Sequence, residues 1–361
     1  MCPEGDTGLS QDQIAAYADR WVACIGNQIV GQGGTPLQAL QAAKALRHKE
    51  KPTIMYIPGT PFKFSPLLDR VRAALPDDQT VYLVGGALRD ALLGRPYRDL
   101  DFVLAEDALP AARRVADHLG AAYYSLDDVR RIARVIYTDQ DGDRQVLDFA
   151  TLRGPDLEAD LRGRDFTINA LAADIRQPQA LLDPLGGAVD IRAKILRACS
   201  PSAFGDDPVR ILRAVRTAAA LDFHIEPKTR ELINPAISKL ESVSPERLRD
   251  ELFAILAGPR VASSMRALSV LGALEYVLPE LLPLNGLVQS HPHTEDVWGH
   301  TLLTLEHLER LLQVLGPKHD IDASSSLMLG VAALRLGRYR DGIKKYLQTS
   351  LGSGSTQRQL L

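Results

Sequence analysis

The sequence predicts an α+β fold, and three observations carry that prediction. Short β-branched and aromatic runs at residues 21–25, 28–30, 53–57, 81–84, 100–104 and 146–149 read as strands. Helical stretches stand between them, one opening at Pro36 and others covering residues 66–75, 87–93 and 109–119. Beyond Asp206 the assignable segments are helical: Ile211, Leu212, Val215 and Ala219 form one apolar side, and residues 327–338 are a further apolar run.

Residues 1–60 read as a small ββαβ module. Residues 21–25 and 28–30 can pair across Gly26-Asn27. Thr35-Pro36 then opens a helix with Gln38 placed for a capping box, and residues 53–57 supply the last strand. The module carries no catalytic grouping, and no activity is assigned to it. Pro58-Gly59-Thr60-Pro61 reads as a linker before the helix at 66–75.

The most informative stretch is residues 81–104, V-Y-L-V-G-G-A-L-R-D-A-L-L-G-R-P-Y-R-D-L-D-F-V-L. A strand breaking into Gly85-Gly86 lets the backbone approach a ligand closely. The helix that follows, closed by Gly94, turns free N–H groups and its positive dipole end toward that junction, which suits a triphosphate. Arg89 can fix a phosphate, and Asp90 can hold that arginine. Asp99 and Asp101 are two apart on the next strand and so point to one face. Carboxylates so placed can share Mg²⁺, which prefers carboxylate, water and phosphate oxygens. Two such ions roughly 3.5–4 Å apart can neutralise the charge as a hydroxyl attacks an α-phosphate and pyrophosphate leaves. An Asp-x-Asp alone also fits an exposed strand end; Gly-Gly-x-x-Arg-Asp directly ahead of it favours metal-assisted nucleotidyl transfer.

The string G-G-A-L-R-D-A-L-L-G followed by D-L-D-F-V resembles the signature of the class II tRNA nucleotidyltransferases and bacterial poly(A) polymerases. The similarity continues in order through L-R-G-R-D-F-T-I-N-A-L-A (161–172), L-D-P-L-G-G-A-V-D (182–190), D-D-P-V-R-I-L-R-A-V-R-T-A-A-A-L-D-F (206–223) and S-P-E-R-L-R-D-E-L (244–252). The resemblance implies a polymerase-β-like nucleotidyltransferase head, expected over residues 65–190, an all-helical neck over 191–270 and a helical body over 271–361. It also implies template-independent addition to RNA 3′ ends: CMP and AMP from CTP and ATP onto tRNA, or AMP onto varied RNA ends in the poly(A) polymerases. The shared motifs do not separate these two. A non-catalytic RNA-binding protein is a third reading, against which Asp99, Asp101 and Arg89 argue.

On this resemblance the third metal-site carboxylate is Asp148, in V-L-D-F-A-T-L-R, on a strand that can lie beside that of Asp99 and Asp101. Its other reading is a strand-end aspartate capping the next turn. Arg164 and Asp165 would contact the triphosphate and the ribose, since a carboxylate can accept from both 2′- and 3′-hydroxyls, and Asn169 would support the site. Asp165 could instead cap the helix expected after it. Relatives usually carry a second arginine where this chain has Gly163, which leaves Arg162 to supply that cation or nucleotide affinity reduced. Asp207 and Arg210 share a helix face and would read the base, the carboxylate accepting from the amino group of C or A while the guanidinium donates beside it. An aspartate before Pro208 is also a ready N-cap. Arg210, Arg213 and Arg216 would form a phosphate- and RNA-facing row.

With 361 residues, 45% of them hydrophobic and 24% charged, the chain has the composition of a soluble protein of two or three domains. A net charge of −3 neither favours nor excludes RNA, because binding depends on local patches. Cys2, Cys24 and Cys199 lack metal-ligand spacing, which argues against a disulfide framework or zinc site and favours a reducing, cytoplasmic setting. Neither a signal peptide nor a membrane span is expected. The segment S-H-P-H-T-E-D-V-W-G-H-T-L (290–302) resembles the opening of an HD-type helical domain. Phosphohydrolases of that type need a later His-Asp pair on an apolar helix. The pair His319-Asp320 falls in a loop-like stretch beside Pro317, so His291, His293 and His300 are read as structural and no phosphohydrolase activity is expected.

Overall fold

The computed structural model describes residues 9–46, 50–59, 64–97, 99–140, 142–178, 180–314, 327–352 and 355–356. The chain divides into two units, residues 1–201 and 202–361. The first unit opens with α1 (Gln11–Ala16), capped by Ser10, and continues through β1 (Arg20–Ile25) and β2 (Gln28–Gly33), joined by a turn in which Gly26 takes a φ of +54°. Thr35 caps α2 (Pro36–Ala45) by accepting from the Gln38 backbone N–H at 3.2 Å. The Gln38 side chain reaches back one residue further than a capping box requires, to Gly34 N–H at 2.9 Å. β3 (Thr53–Ile57) completes the ββαβ order read from the sequence. The linker expected at 58–61 lies partly outside the described residues.

Next come α3 (Pro66–Ala74), β4 (Val81–Val84), α4 (Gly86–Leu92), β5 (Asp99–Leu104) and α5 (Ala108–Leu119). α5 buries Ala108, Ala111, Ala112, Val115, Ala116 and Leu119 at helical spacing and packs on the sheet. β6 (Ala122–Asp127), β7 (Ile132–Thr138), β8 (Arg144–Thr151), α6 (Leu157–Arg162), β9 (Ala172–Asp174), β10 (Leu181–Leu182) and α7 (Gly187–Ala193) follow. The helix expected after Asp165 is a single 3-10 turn, Thr167–Asn169, because the chain turns at once into β9.

The strands form one sheet in the order β2-β1-β3-β10-β9-β4-β5-β8-β7-β6. β5 and β8 run parallel, while their outer partners β4 and β7 run antiparallel to them. Residues 1–60, expected as a module of their own, therefore add strands to the sheet of the head: Tyr56 and Met55 of β3 stand opposite Leu181 and Leu182 of β10. The core is shared accordingly. Val22, Cys24, Met55 and Ile57 are buried in one cluster with Val84, Leu161, Ala170 and Ala172. Burial pushes the Cys24 thiol up to about 11, so it packs as an apolar side chain rather than a reactive thiolate.

The second unit is mostly helical, with α8 (Ala203–Asp206), α9 (Arg210–Leu221), α10 (Pro227–Ile233), α11 (Pro245–Ala257), α12 (Val261–Val270), α13 (Leu274–Val277), α14 (Val297–Val314), α15 (Leu327–Leu336) and α16 (Arg340–Leu347), and carries short strands at His224–Ile225, Ser350–Gly352 and Ser355–Thr356. Ile211, Leu212, Ala214 and Val215 of α9 are buried, and α9 packs against α11 and α12. Among the described residues no helix is long and apolar enough to cross a membrane.

Candidate active site

The alternation of β5 and β8 sorts apolar from acidic side chains. Leu100, Phe102, Leu147 and Phe149 are buried, and the two phenylalanine rings stack at 4.8 Å. Asp99, Asp101 and Asp148 take the alternating, less buried positions. Parallel pairing then sets Asp101 directly opposite Asp148. Asp148 stands in mid-strand, so the turn-capping reading does not apply to it. Gly85, at a φ of +78°, ends β4 beside this face; a Cβ there would lie 3.1 Å from Asp101 Oδ2 and 3.5 Å from Arg164 Nη1. Both the conformation and the crowding require glycine at that point.

Charge accumulates here. Burial pushes Asp101 up to about 6; the Arg164 guanidinium pulls against that, and the neighbouring carboxylates Asp148 and Asp99 add to it. Asp99 is raised by burial and then by Asp148. Asp148 is held by Arg134, its cross-strand partner on β7, which donates from Nε and Nη2 to its two oxygens at 2.8 Å each. The fork geometry lifts the Arg134 pKa further. Carboxylates that disfavour each other's ionisation suit a divalent cation, which relieves that repulsion. Asp99 and Asp101 are the residues that could hold one, with Asp148 engaged by Arg134. Among the described residues no group of three or more His, Cys, Asp or Glu side chains converges closely enough to hold a metal ion.

Beside the carboxylates runs a continuous polar network. Arg89 of α4 donates to both oxygens of Asp90, at 2.9 and 2.8 Å, and from Nη1 to Asn169 Oδ1 at 2.6 Å. Asn169 Nδ2 in turn donates to Asp165 Oδ1 at 3.1 Å, an atom that also accepts from the Phe166 backbone N–H at 2.8 Å. The hold of Asp90 on Arg89 is as the sequence suggests. Asp165 is buried and orients Asn169 rather than capping a helix. Arg164 donates to Asp160 Oδ2 at 3.1 and 3.0 Å, and Asp160 Oδ1 accepts from the Arg153 backbone N–H. Gly163 has a helical φ of −76°, so its backbone does not demand glycine. Arg162 pairs with Glu158 at 2.7 Å, the carboxylate that also receives Lys51 at 2.6 Å.

In the second unit the residues expected to read the base are arranged differently from the sequence expectation. α9 begins at Arg210 with Val209 at its N-cap and no side-chain cap, so Asp207 is not an N-cap. Its oxygens accept from Arg247 Nη2 of α11 at 3.0 and 2.8 Å. Arg210 is buried, with Nη1 donating to Ala203 O at 3.2 Å. The arginine row is not an open cationic face: Arg213 and Arg216 both pair with Glu251 of α11, at 3.5 and 2.8 Å. His293 and His300 meet edge to face at 5.0 Å. His319-Asp320 lies outside the described residues. Sequence reasoning did not single out Arg134, Asp160, Arg247 or Glu251. A charge inside the apolar run I-A-R-V-I-Y was a signal for Arg134, and the spacing of Arg247 and Glu251 within S-P-E-R-L-R-D-E-L puts both on one helix face.

A mixed sheet carrying acidic residues on adjacent parallel strands, beside a glycine turn and an arginine-rich network, defines a nucleotidyltransferase-type head. Residues 81–197 match the family model described as poly A polymerase head domain, and residues 222–284 the one described as probable RNA and SrmB-binding site of polymerase A. Residues 81–197 and 222–284 are thus similar to a head and to an RNA-binding segment described for poly A polymerases. Residues 12–60 match a family of unknown function. A CC-adding tRNA nucleotidyltransferase of Geobacter sulfurreducens is 39% identical over 71% of this chain and 64% of its own length. An A-adding tRNA nucleotidyltransferase of Deinococcus radiodurans is 38% identical over 66% of this chain and 53% of its own. The chain therefore spans less than two thirds of either relative. Among solved structures, a tRNA nucleotidyltransferase complexed with a primer tRNA and an incoming ATP analog is similar at a TM-score of 0.56, with 26% identity, over 79% of this chain and 84% of that one.

Proposed function

We propose that the chain transfers CMP, AMP or both from CTP and ATP to the 3′ end of tRNA without a nucleic-acid template. The observation that carries this reading is the placement of Asp99, Asp101 and Asp148 on one face of β5 and β8, beside Gly85 and Arg164. The names of the relatives support tRNA as the acceptor. Asp99 and Asp101 would hold Mg²⁺, which when bound supplies charge neutralisation at the α-phosphate and the leaving pyrophosphate. Gly85 and Gly86 leave room for the triphosphate to approach the strand end, and Arg89 and Arg164, each braced by an aspartate, would bind its oxygens. Asp165 and Asn169 would order the ribose side of the site. Asp148, held by Arg134, would be the third carboxylate of the site. Asp207, Arg210 and Arg213 are assigned to the base and the RNA end, and the free thiols of Cys24 and Cys199 accord with a reducing, cytoplasmic setting.

The test is incubation of the chain with Mg²⁺, each nucleotide separately, and tRNA ending before CCA, tRNA ending in CC, or an unrelated RNA. Addition confined to tRNA is the expected result, and the nucleotide accepted by each end assigns C, A or both. Long A tails on every RNA would instead mark a poly(A) polymerase. Absence of incorporation with Mg²⁺ and Mn²⁺ alike would refute the enzymatic reading and favour a non-catalytic RNA-binding protein.

A further inference from the structure

The segment matching a family of unknown function reaches toward the nucleotide-facing residues through an unbroken series of contacts. Trp21 of β1 is 1% exposed, and its indole Nε1 donates to Asp183 Oδ2 at 3.0 Å. Asp183 is fully buried; its Oδ1 accepts from Gly187 N–H at 2.6 Å, its Oδ2 accepts from Ala188 N–H at 3.1 Å, and the Gly186 N–H is a further donor, so the indole is the side-chain donor beside the backbone amides that orient this carboxylate at the start of α7. α7 meets the Thr167–Asn169 turn without slack. A Cβ on Gly187 would sit 2.2 Å from Thr167 O, and Thr167 Oγ1 donates to Asp190 Oδ2 at 2.6 Å. That turn presents Asn169, whose Oδ1 accepts from Arg89. Trp21 is itself clamped, by the Tyr56 ring at 4.5 Å and by the Arg192 guanidinium of α7, 5.0 Å from both ring centroids.

We propose that the N-terminal segment is a brace for the nucleotide-facing turn, and that Trp21 is the positioning residue through which it acts on Asn169 and Arg89. The proposal rests on the reading of Arg89, Asp165 and Asn169 as nucleotide-binding residues. A buried carboxylate that loses one of its donors reorients toward those that remain. Here those are the first amides of α7, and their movement is transmitted to Thr167 because the packing leaves no gap.

Trp21→Phe keeps a ring in the core and removes the indole N–H. Tyr56→Phe removes a hydrogen bond from the same aromatic cluster, that to Asp19 at 2.8 Å, but is not bonded to Asp183. In the full chain, Trp21→Phe is expected to raise the KM for the nucleotide about fivefold with kcat nearly unchanged. It should also speed amide exchange at Asn169, while Tyr56→Phe leaves KM and this amide as in the parent. Equal KM changes in both variants would reduce the effect to general destabilisation and overturn the proposal, as would parental KM and exchange in Trp21→Phe. Should the parent chain incorporate no nucleotide, the proposed function fails separately, and amide exchange at Asn169 alone decides whether the brace exists.

Discussion

Asp101 combines burial, a neighbouring arginine and two neighbouring carboxylates, and each influence makes a measurable claim. Asp101→Asn should abolish nucleotide addition while tRNA binding persists, since metal-site carboxylates act mainly on the transition state; near-normal turnover would remove Asp101 from the catalytic set. Its stability effect runs the other way. A carboxyl raised from 3.8 to about 6 on folding is favoured in its protonated form, so its contribution is fully present below pH 3.8 and is lost as pH rises through 6. Asp101→Asn should therefore be more stable than the parent at pH 8, by about 1–2 kcal/mol, with the difference closing by about pH 4 in paired thermal melts. If Asp101 holds a cation as proposed, that cation would compete with the same proton. Mn²⁺ affinity, read by paramagnetic resonance, should fall as pH drops through 6 and be insensitive to pH above 8.

At the scale of elements, α9 and α11 are joined by charge as well as by packing. Asp207 accepts from Arg247 across them, and Glu251 receives Arg213 and Arg216. Because Arg247 is 54% exposed, Asp207→Ala should cost less than about 1 kcal/mol in a denaturant titration. If Asp207 reads the base, the same variant should lose about 1–3 kcal/mol of discrimination against UTP and GTP, the range for a good base-edge contact. An unchanged ratio of CTP to UTP incorporation would leave Asp207 as an inter-helix tie alone. For α14 and the residues before it, His293 and His300 meet edge to face, and among the described residues no group of three or more His, Cys, Asp or Glu side chains could hold a metal ion. No metal-dependent phosphodiesterase activity is expected; hydrolysis of a nitrophenyl phosphodiester with Mn²⁺, abolished by His300→Ala, would contradict this.

On the scale of the whole first unit, β3 covers the edge of β10, and the core cluster draws on both sides of residue 60. Deleting residues 1–60 would uncover a strand edge together with Val84, Ala172 and Leu182. The truncated chain should lack a cooperative thermal transition for the head and self-associate, as circular dichroism and gel filtration would report. A monomeric, cooperatively melting truncation would show that the head closes its own sheet.

Much of the candidate site's layout was legible in the sequence because it depends on local periods. A strand that ends in Gly85-Gly86, a helix that presents Arg89 beside Asp90, and two aspartates on one strand face need only neighbouring residues and their φ/ψ preferences. The ββαβ order at the N-terminus was legible for the same reason. What only the tertiary structure decided is pairing between distant segments. The register that sets Asp101 opposite Asp148, the cross-strand fork of Arg134, the joining of β3 to β10 and the capture of Asp207 by Arg247 all follow from which apolar faces bury against each other. That choice minimises exposed apolar area over the whole unit, and no local window of sequence contains it. The N-cap reading of Asp207 shows the difference: Asp-Pro satisfies the local rule for a helix start, yet a guanidinium from α11 takes the carboxylate, and the helix begins three residues later at Arg210.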